Sequence, residues 1–541
     1  IPNPTIKTIT NTAILFAIFL LIYKYRYSSM SSLTYSFFNF ESLFLYRFLH
    51  FFTTNLSFIQ SCDKFLDLKP QDIQVVSKVE DYRDLLASYM RLLKTTDGSQ
   101  KPVLGSTFLY PKFHVAAEFA YKTGELTINK NSTSYYDANL GEYNNSGVKI
   151  MTWMESDYDL WDRFYSFLGP INMIIDGITA AEGNDENLRN YVKGEALVWR
   201  AYSYFKLIQY YSPYKEDDYG IPVFLKPYDD PGNAMPQREK QSDVYRQILT
   251  DCQEVIDLIA ETPSNQWNCA YEPRFIYGML ASIYCYKAMS AAAEENDWQQ
   301  AITYADKAIA GRSFVRDQSV YDAMFDTPAQ QTFRNDEFYL RLVDGRNGQI
   351  ANFIDTYFQT SEWGPAEANP SQEFYAQYKE DDVRKKTFFR TKTDGKIIFD
   401  KYNISNDPMA FLGAGGIIMP FRLAETCLIK AEALYRLGKT TEAKEVLDDF
   451  KQGRYLDVEG SYTESDLLNE ILKERKLEFY HEQDMWWLDM KRLQTRMERI
   501  VNGTMYILEP DDFRYSLPIP QSEMSANKNM VQNPGWNEIS L

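Results

Sequence analysis

Ala431-Glu432-Ala433-Leu434-Tyr435-Arg436-Leu437-Gly438-Lys439-Thr440-Thr441-Glu442-Ala443 alternates small and aromatic positions around a single glycine. Gly438 permits a tight turn, and Ala443 lets a second helix pack closely on the first, the spacing of a tetratricopeptide unit. The stretch sits inside two helical patterns, Leu423–Leu437 and Thr441–Phe450. Trp298-Gln299-Gln300-Ala301, with Ala305 and Ala308, echoes the second half of such a unit, and Phe275–Ala293 with Trp298–Ala310 reads as another helical pair. Helix pairs of this kind bury their apolar faces only against neighbours, so several are expected in one stack. The fold class expected is all-α dominated: tetratricopeptide-like helix pairs with long irregular loop insertions and minor short strands.

Outward from that stretch, Tyr82, Leu85, Leu86 and Tyr89 fall at i, i+3, i+4, i+7 and open a helix. Residues 91–157 lose the pattern and become rich in Tyr, Asn, Gly, Ser and Thr, a long loop region of the sort that carries function on a helical scaffold. Helices follow at Trp161–Gly177 and Asn187–Tyr211, and Pro213 and Pro222 close the second. Ser242-Asp243 caps another helix, with Val244, Ile248, Val255, Ile256 and Ile259 along one face. Residues 311–420 are again irregular, with Ile397-Ile398-Phe399 as a small strand. Helices are expected at Asp466–Glu482 and Trp486–Arg499, followed by a Pro/Asn-rich closing segment. Trp161, Trp199, Trp298, Trp486 and Trp487 sit at helical core spacing and read as packing residues; Trp536 is expected to pin the tail.

The 541 residues include 57 Lys and Arg against 75 Asp and Glu, a net charge of −18. That balance argues against nucleic-acid binding, which needs a basic face to neutralise phosphates. The chain carries 40 Tyr, 34 Phe and 9 Trp. So many tyrosines exceed what a core absorbs, because each buried hydroxyl needs a partner; surplus rings at a surface suit flat amphipathic ligands such as sugars, or partner proteins. Residues 1–61 contain only Lys7, Lys24, Arg26, Arg47 and Glu41 as charges, leaving a net charge of −21 in 62–541. Ala13–Tyr23 is an apolar run of eleven residues, too short to span a bilayer and suited to a signal core. A second apolar stretch, Leu43–Ile59, ends at Gln60-Ser61-Cys62. A small residue before a cysteine at the end of such a run resembles a bacterial lipobox, in which the cysteine is lipidated and becomes the new N-terminus. Gln60 and Arg47 depart from that pattern, and the first Met is Met30, so part of 1–61 is expected to be upstream read-through or a mis-called start. Cys252, Cys269, Cys285 and Cys427 lack CxxC spacing and lie in apolar helical contexts; buried thiols are expected, with one disulfide left open.

Several stretches, in order, resemble the SusD/RagB family of outer-membrane nutrient-binding lipoproteins. Ser61-Cys62-Asp63-Lys64-Phe65-Leu66-Asp67-Leu68-Lys69-Pro70 is similar to the family's opening. Gly194-Glu195-Ala196 through Arg200-Ala201-Tyr202-Ser203-Tyr204-Phe205, then Gly220-Ile221-Pro222-Val223, resembles its signature helix and the turn after it. Arg422-Leu423-Ala424-Glu425 with Lys430-Ala431-Glu432-Ala433-Leu434 resembles its C-terminal repeat helix. Glu474-Arg475-Lys476-Leu477-Glu478-Phe479 and Trp487-Leu488-Asp489-Met490-Lys491-Arg492 look like its charged-aromatic helix pair. Pro518-Ile519-Pro520-Gln521-Ser522-Glu523 and Gln532-Asn533-Pro534-Gly535-Trp536 resemble its closing segment. The resemblance implies a non-catalytic cell-surface lipoprotein of a Gram-negative outer membrane, lipidated at Cys62. Such a protein caps a SusC-like TonB-dependent transporter and delivers an oligosaccharide or polysaccharide to it. A peptide-binding RagB-like member and a structural lid without its own high-affinity site are the alternatives. The organisation expected is 1–61 as signal or targeting segment, 62–310 as the N-terminal part with helical repeats and ligand-binding loops, and 311–541 as the C-terminal part.

HExxH, GxSxG, P-loop and strand-linked GxGxxG patterns are absent, as is any DxDxDG run. No cofactor and no metal are therefore expected. His481, beside Tyr480, Glu482 and Asp484, reads as a salt-linked helix residue, and His114 has no visible partner. A sugar site needs ring faces for stacking and amides or carboxylates for hydroxyls, carried on loops. Tyr135, Tyr136, Asp137 and Asn139 with Trp153 and Glu155 form one candidate cluster, and Tyr357, Glu362 and Trp363 a second; Trp267 and Tyr271 are a weaker third. The alternative for each aromatic is that it anchors its own loop on the helices. The acidic surface favours neutral glycans over anionic ones unless a local basic cluster such as Arg83, Arg91 and Lys94 offsets it.

Overall fold

The structure is a computed structural model, and it describes residues 76–89, 119, 121–128, 136–137, 139–154, 160–227, 235–261, 269–325, 335–345, 368–399, 401, 414–456, 465–480, 482 and 484–538. In chain order its helices are α1 (Val79–Tyr89), α2 (Asn145–Met151), α3 (Leu160–Ile178), α4 (Glu186–Tyr211), α5 (Gln241–Glu261), α6 (Pro273–Lys287), α7 (Asp297–Ile309), α8 (Gln318–Phe325), α9 (Gln372–Tyr375), α10 (Val383–Phe388), α11 (Leu423–Arg436), α12 (Thr440–Gln452), α13 (Leu467–Glu478), α14 (Met485–Leu493) and α15 (Gln521–Ala526). The strands are short: β1 (Leu126–Ile128), β2 (Tyr136–Asp137), β3 (Glu142–Tyr143), β4 (Leu342–Gly345), β5 (Ala368–Pro370), β6 (Phe389–Thr391), β7 (Ile397–Phe399), β8 (Ala414–Ile418), β9 (Met497–Val501) and β10 (Thr504–Leu508). They form five two-stranded antiparallel sheets, β1–β5, β2–β3, β4–β8, β6–β7 and β9–β10.

The turn in the opening stretch behaves as its glycine requires. Gly438 has φ +75°, a left-handed conformation that ends α11, and Ala443 is fully buried where α12 packs back on α11. Successive helices pack on one another, α3 on α4, α4 on α5, α5 on α6 and α6 on α7; beyond the insertion, α7 meets α11, and α11 carries α12 and α13. All described residues belong to one unit, Val76–Leu541.

The centre of the stack is α4. From Gly194 to Tyr211 every residue is buried, so this stretch of the helix has no solvent face and its polar side chains find partners inside. Glu195 accepts from the indole N–H of Trp199 and from the backbone N–H of Ala270 and Tyr271. Arg200 forms a bidentate pair with Asp251 of α5, both bonds 2.8 Å. Lys206 pairs with Asp484 at 3.2 Å. Gly194 leaves room for the Tyr271 ring: a Cβ there would lie 2.1 Å from it.

The charged helix pair of the C-terminal half is a buried network. Glu478 of α13 receives Arg422 at 2.6 Å and Arg454 at 2.8 Å; Arg454 also reaches Glu337 at 2.9 Å, and Arg384 bridges Asp382 and Glu474. Next to it, Arg475 and Arg492 share Asp489, and Arg492 continues to Glu432. The arginines around Glu478 hold its carboxyl well below the usual carboxylate range. Glu337, Asp382 and Arg384 come from the 311–420 insertion, so the network ties the insertion to α11, α12 and α13. Removing one partner of such a buried pair leaves the other charge uncompensated, which is why it specifies one arrangement.

Several expectations change: the helix expected over Asp466–Glu482 ends at Glu478, and residues 91–157 hold β1–β3 and α2. Phe275–Ala293 ends as a helix at Lys287, where Lys287 turns to Asp297 at 2.9 Å and the Ala291 N–H bonds to the Tyr214 carbonyl instead of continuing the helix. Trp486–Arg499 ends at Leu493; Gln494 takes φ +56°, and residues 497–508 form the β9–β10 hairpin. The insertion 311–420 also holds the short helices α8 and α10. The four cysteines Cys252, Cys269, Cys285 and Cys427 are free and buried. Cys62, His114 and His481 lie outside the described residues.

Candidate functional site

The two loop clusters lie more than 200 residues apart in sequence, and β1 and β5 bring their chains together. Leu126 pairs with Pro370 and Ile128 with Ala368, and the Ser371 N–H bonds to the Glu125 carbonyl at 2.9 Å. The chain leaving β1 at Ile128 leads to Tyr135, and the chain arriving at Ala368 comes from Trp363. Both segments thus depart from one end of one small sheet. Tyr135, Glu155, Tyr357, Glu362, Trp363 and Trp267 lie outside the described residues.

Tyr136 lies in β2. Asp137 closes the β2–β3 turn: its carboxylate accepts from the backbone N–H of Asn139 at 2.9 Å and of Leu140 at 3.2 Å, and Gly141 completes the turn at φ +73°. Asn139 and Leu140 are exposed at the tip. The hairpin is tied to β9–β10 by reciprocal bonds, Tyr143 N–H to Asn502 Oδ1 at 2.8 Å and Asn502 Nδ2 to the Tyr143 carbonyl at 2.9 Å. Ile500 and Met505, opposite each other in β9–β10, are both exposed apolar side chains on the hairpin tied to β2–β3. Sequence reasoning missed this second hairpin. Asn502-Gly503 between alternating residues is its signal, and both turn residues adopt positive φ, +47° and +77°.

Trp153 requires a correction. Its side chain is 0% exposed, its indole N–H donates to the Lys122 carbonyl at 3.0 Å, and the guanidinium groups of Arg499 and Arg514 lie 5.5 and 5.4 Å from its ring centroid. Those guanidiniums also bond to the carbonyls of Met151 and Thr152, the two residues just before it. The residue holds φ +62°, a conformation a bulky side chain adopts only when its surroundings impose it. With no face open, Trp153 anchors its loop and does not stack on a ligand. The weaker option Tyr271 is likewise buried, edge-on to Tyr191. Trp161, Trp199 and Trp487 are buried, Trp298 and Trp486 pack against the core, and Trp536 donates to the Ser516 carbonyl at 2.7 Å, pinning the tail.

Beneath the β1–β5 sheet, Glu125 is buried and its Oε1 has no hydrogen-bond partner among the described residues. Burial pushes its carboxyl up to about 7, against the pull of Lys476. Among the described residues no group of three His, Cys, Asp or Glu could hold a metal ion, and no helix is long and apolar enough to cross a membrane.

Residues 64–285 match the family model described as starch-binding associating with outer membrane, and residues 357–536 match the SusD family model. SusD-like protein P2 of Formosa agariphila is 24% identical over 70% of this chain and 80% of its own; SusD-like protein P38 of the same organism is 22% identical over 87% and 97%. Among solved structures, a SusD superfamily protein from Bacteroides thetaiotaomicron superposes with TM-score 0.64 at 19% identity, covering 84% of this chain and all of its own. A SusD-like carbohydrate binding protein from Bacteroides vulgatus gives TM-score 0.59 at 22% identity, covering 84% and 97%.

Proposed function

The chain belongs to the SusD family, and from that premise we propose that it is a cell-surface lipoprotein that captures an oligosaccharide or polysaccharide and hands it to a SusC-like, TonB-dependent transporter. Its class is that of outer-membrane-associated carbohydrate-binding proteins. In this reading no bond is made or broken: ring faces and amides on loops hold the sugar, and a rigid helical stack positions the loops.

The observation that carries the placement is the β1–β5 pairing. It pairs Ile128, seven positions before Tyr135, with Ala368, five positions after Trp363, and in this reading the tied β2–β3 and β9–β10 hairpins add Asn139, Leu140, Ile500 and Met505. Stacking aromatics from two separate segments can sandwich a glycan chain as either alone cannot.

The test is binding of the protein to a panel of polysaccharides and peptide digests, by retardation or calorimetry. Binding to one glycan class is the expected result. Binding to peptides alone contradicts the glycan reading, and silence across the panel contradicts capture by this chain without its transporter. Lipidation at Cys62 supplies the anchor in this proposal, so Cys62→Ala should move the protein from the membrane to the soluble fraction; unchanged membrane attachment would sink that role for Cys62.

A further inference from the structure

Away from the β1–β5 sheet, a cavity of about 380 Å³ opens between the end of α14, the segment after α4 and the loop after β10. Its volume lies within the range of small-ligand sites. Lys491 lines it, 1% exposed, with Nζ donating to the Gln209 carbonyl at 2.6 Å and lying 5.3 Å from the Tyr214 ring centroid. Nearby buried cations each have a carboxylate: Lys206 has Asp484 at 3.2 Å, Arg475 has Asp489 at 2.6 Å and Arg492 has Glu432 at 2.8 Å. Among the described residues Lys491 has none within ion-pair distance. Its ammonium has donors left beyond the single bond to Gln209.

The charges around the cavity do not supply the missing anion. Asp511 is paired with Lys215 at 2.5 Å and Asp512 with Arg514 at 2.6 Å. Arg238, behind the cavity, has the same sign as Lys491, and Glu216 is the remaining charged group on the rim. Tyr214 and Tyr515 add aromatic surface to the wall. The wall is also locally strained: Gln494 and Asp511 both hold left-handed φ, +56° and +64°, fixed by the Gln494 side chain, which accepts from the Asp511 N–H and donates to the Lys491 carbonyl. Burial and Arg238 together push the Lys491 amine well below the usual lysine range.

We propose that this cavity is a subsite for the acidic substituent of a sugar, a uronate carboxylate or a sulfate ester, with Lys491 as its counter-ion. The proposal rests on the carbohydrate reading of the family. A bound anion would supply the charge and the acceptors that Lys491 lacks, and charge-assisted bonds of this kind are the stronger ones in protein interiors. Because the anion favours the ammonium form, binding takes up a proton and tightens as pH falls.

The test is calorimetric titration of the full chain in detergent with sodium glucuronate, glucose 6-sulfate and glucose, in two buffers of different ionisation heat. The expected result is binding of at least one acidic sugar about tenfold or more tighter than glucose, with proton uptake. Glucuronate alone would identify a carboxylate subsite and glucose 6-sulfate alone a sulfate subsite, and either supports the proposal. Lys491→Met should abolish the preference for acid, and Lys491→Arg should keep it. Equal affinity for acidic and neutral sugars, or no proton uptake in the unmodified protein, overturns the subsite whether or not the variants fold. An acid preference in a protein that ignores every polysaccharide supports the subsite while contradicting the capture reading, so the two fail separately.

Discussion

Trp153 and Glu125 show how burial decides what one side chain can do. Truncating a fully buried tryptophan removes its packing and leaves a cavity, so Trp153→Ala should cost about 3–5 kcal/mol of stability, read by urea unfolding. A loss of ligand binding with unchanged stability would contradict its role as an anchor. Glu125 gives a pH signature. Its carboxyl is raised in the folded protein, from 4.5 to about 7, so the unfolded chain ionises first and stability falls as pH rises from about 4.5 to about 7. Glu125→Gln keeps the shape and removes the charge. The variant should therefore be more stable than the parent above pH 7, by up to about 3 kcal/mol, and equal to it below about pH 4.5. Equal stability at both ends would mean that Glu125 stays solvated. Sequence ranked Trp153 as a ring for stacking because it falls in the loop region before the Trp161 helix; the guanidiniums of Arg499 and Arg514 that close over it lie some 350 positions away.

At the scale of elements, the helices were legible because their signals are local. The Ala431–Ala443 spacing and the cap before α5 each act within a few residues, and boundaries shifted mainly where distant groups intervened, as Tyr214 does at the end of α6. The β9–β10 hairpin was legible in principle from Asn502-Gly503, but the helix expected over Trp486–Arg499 ran into its first strand. The packing of α4 makes a further prediction. Gly194→Ala drives a Cβ into the Tyr271 ring and should cost about 1–3 kcal/mol, with a smaller loss in the background of Tyr271→Ala. Additive losses would show that Gly194 matters for some other reason. Tyr271 was weighed for ligand binding because it follows the loop containing Trp267; its contact with Gly194 crosses 77 positions and leaves no local trace in the sequence.

At the scale of the whole molecule, a helical stack with buried ion networks carries a small sheet, β1–β5, that pairs Ile128 with Ala368 across 240 positions of sequence. The order of the family's stretches along the chain disclosed this architecture, whereas the β1–β5 pairing depends on three residues in each strand and has no sequence signal of its own. The buried Lys491 cavity was illegible for the same reason, since what defines it is the absence of a carboxylate that only the folded chain reveals. In the proposed capture role, the loops at the Ile128–Ala368 end hold the glycan. Once the panel has identified that glycan, the direct measurement is its affinity for Trp363→Ala beside the parent protein, with thermal unfolding of both. Glycan held at that end should show a binding loss of about 1–3 kcal/mol with unchanged unfolding; full affinity in Trp363→Ala would contradict this placement of the site.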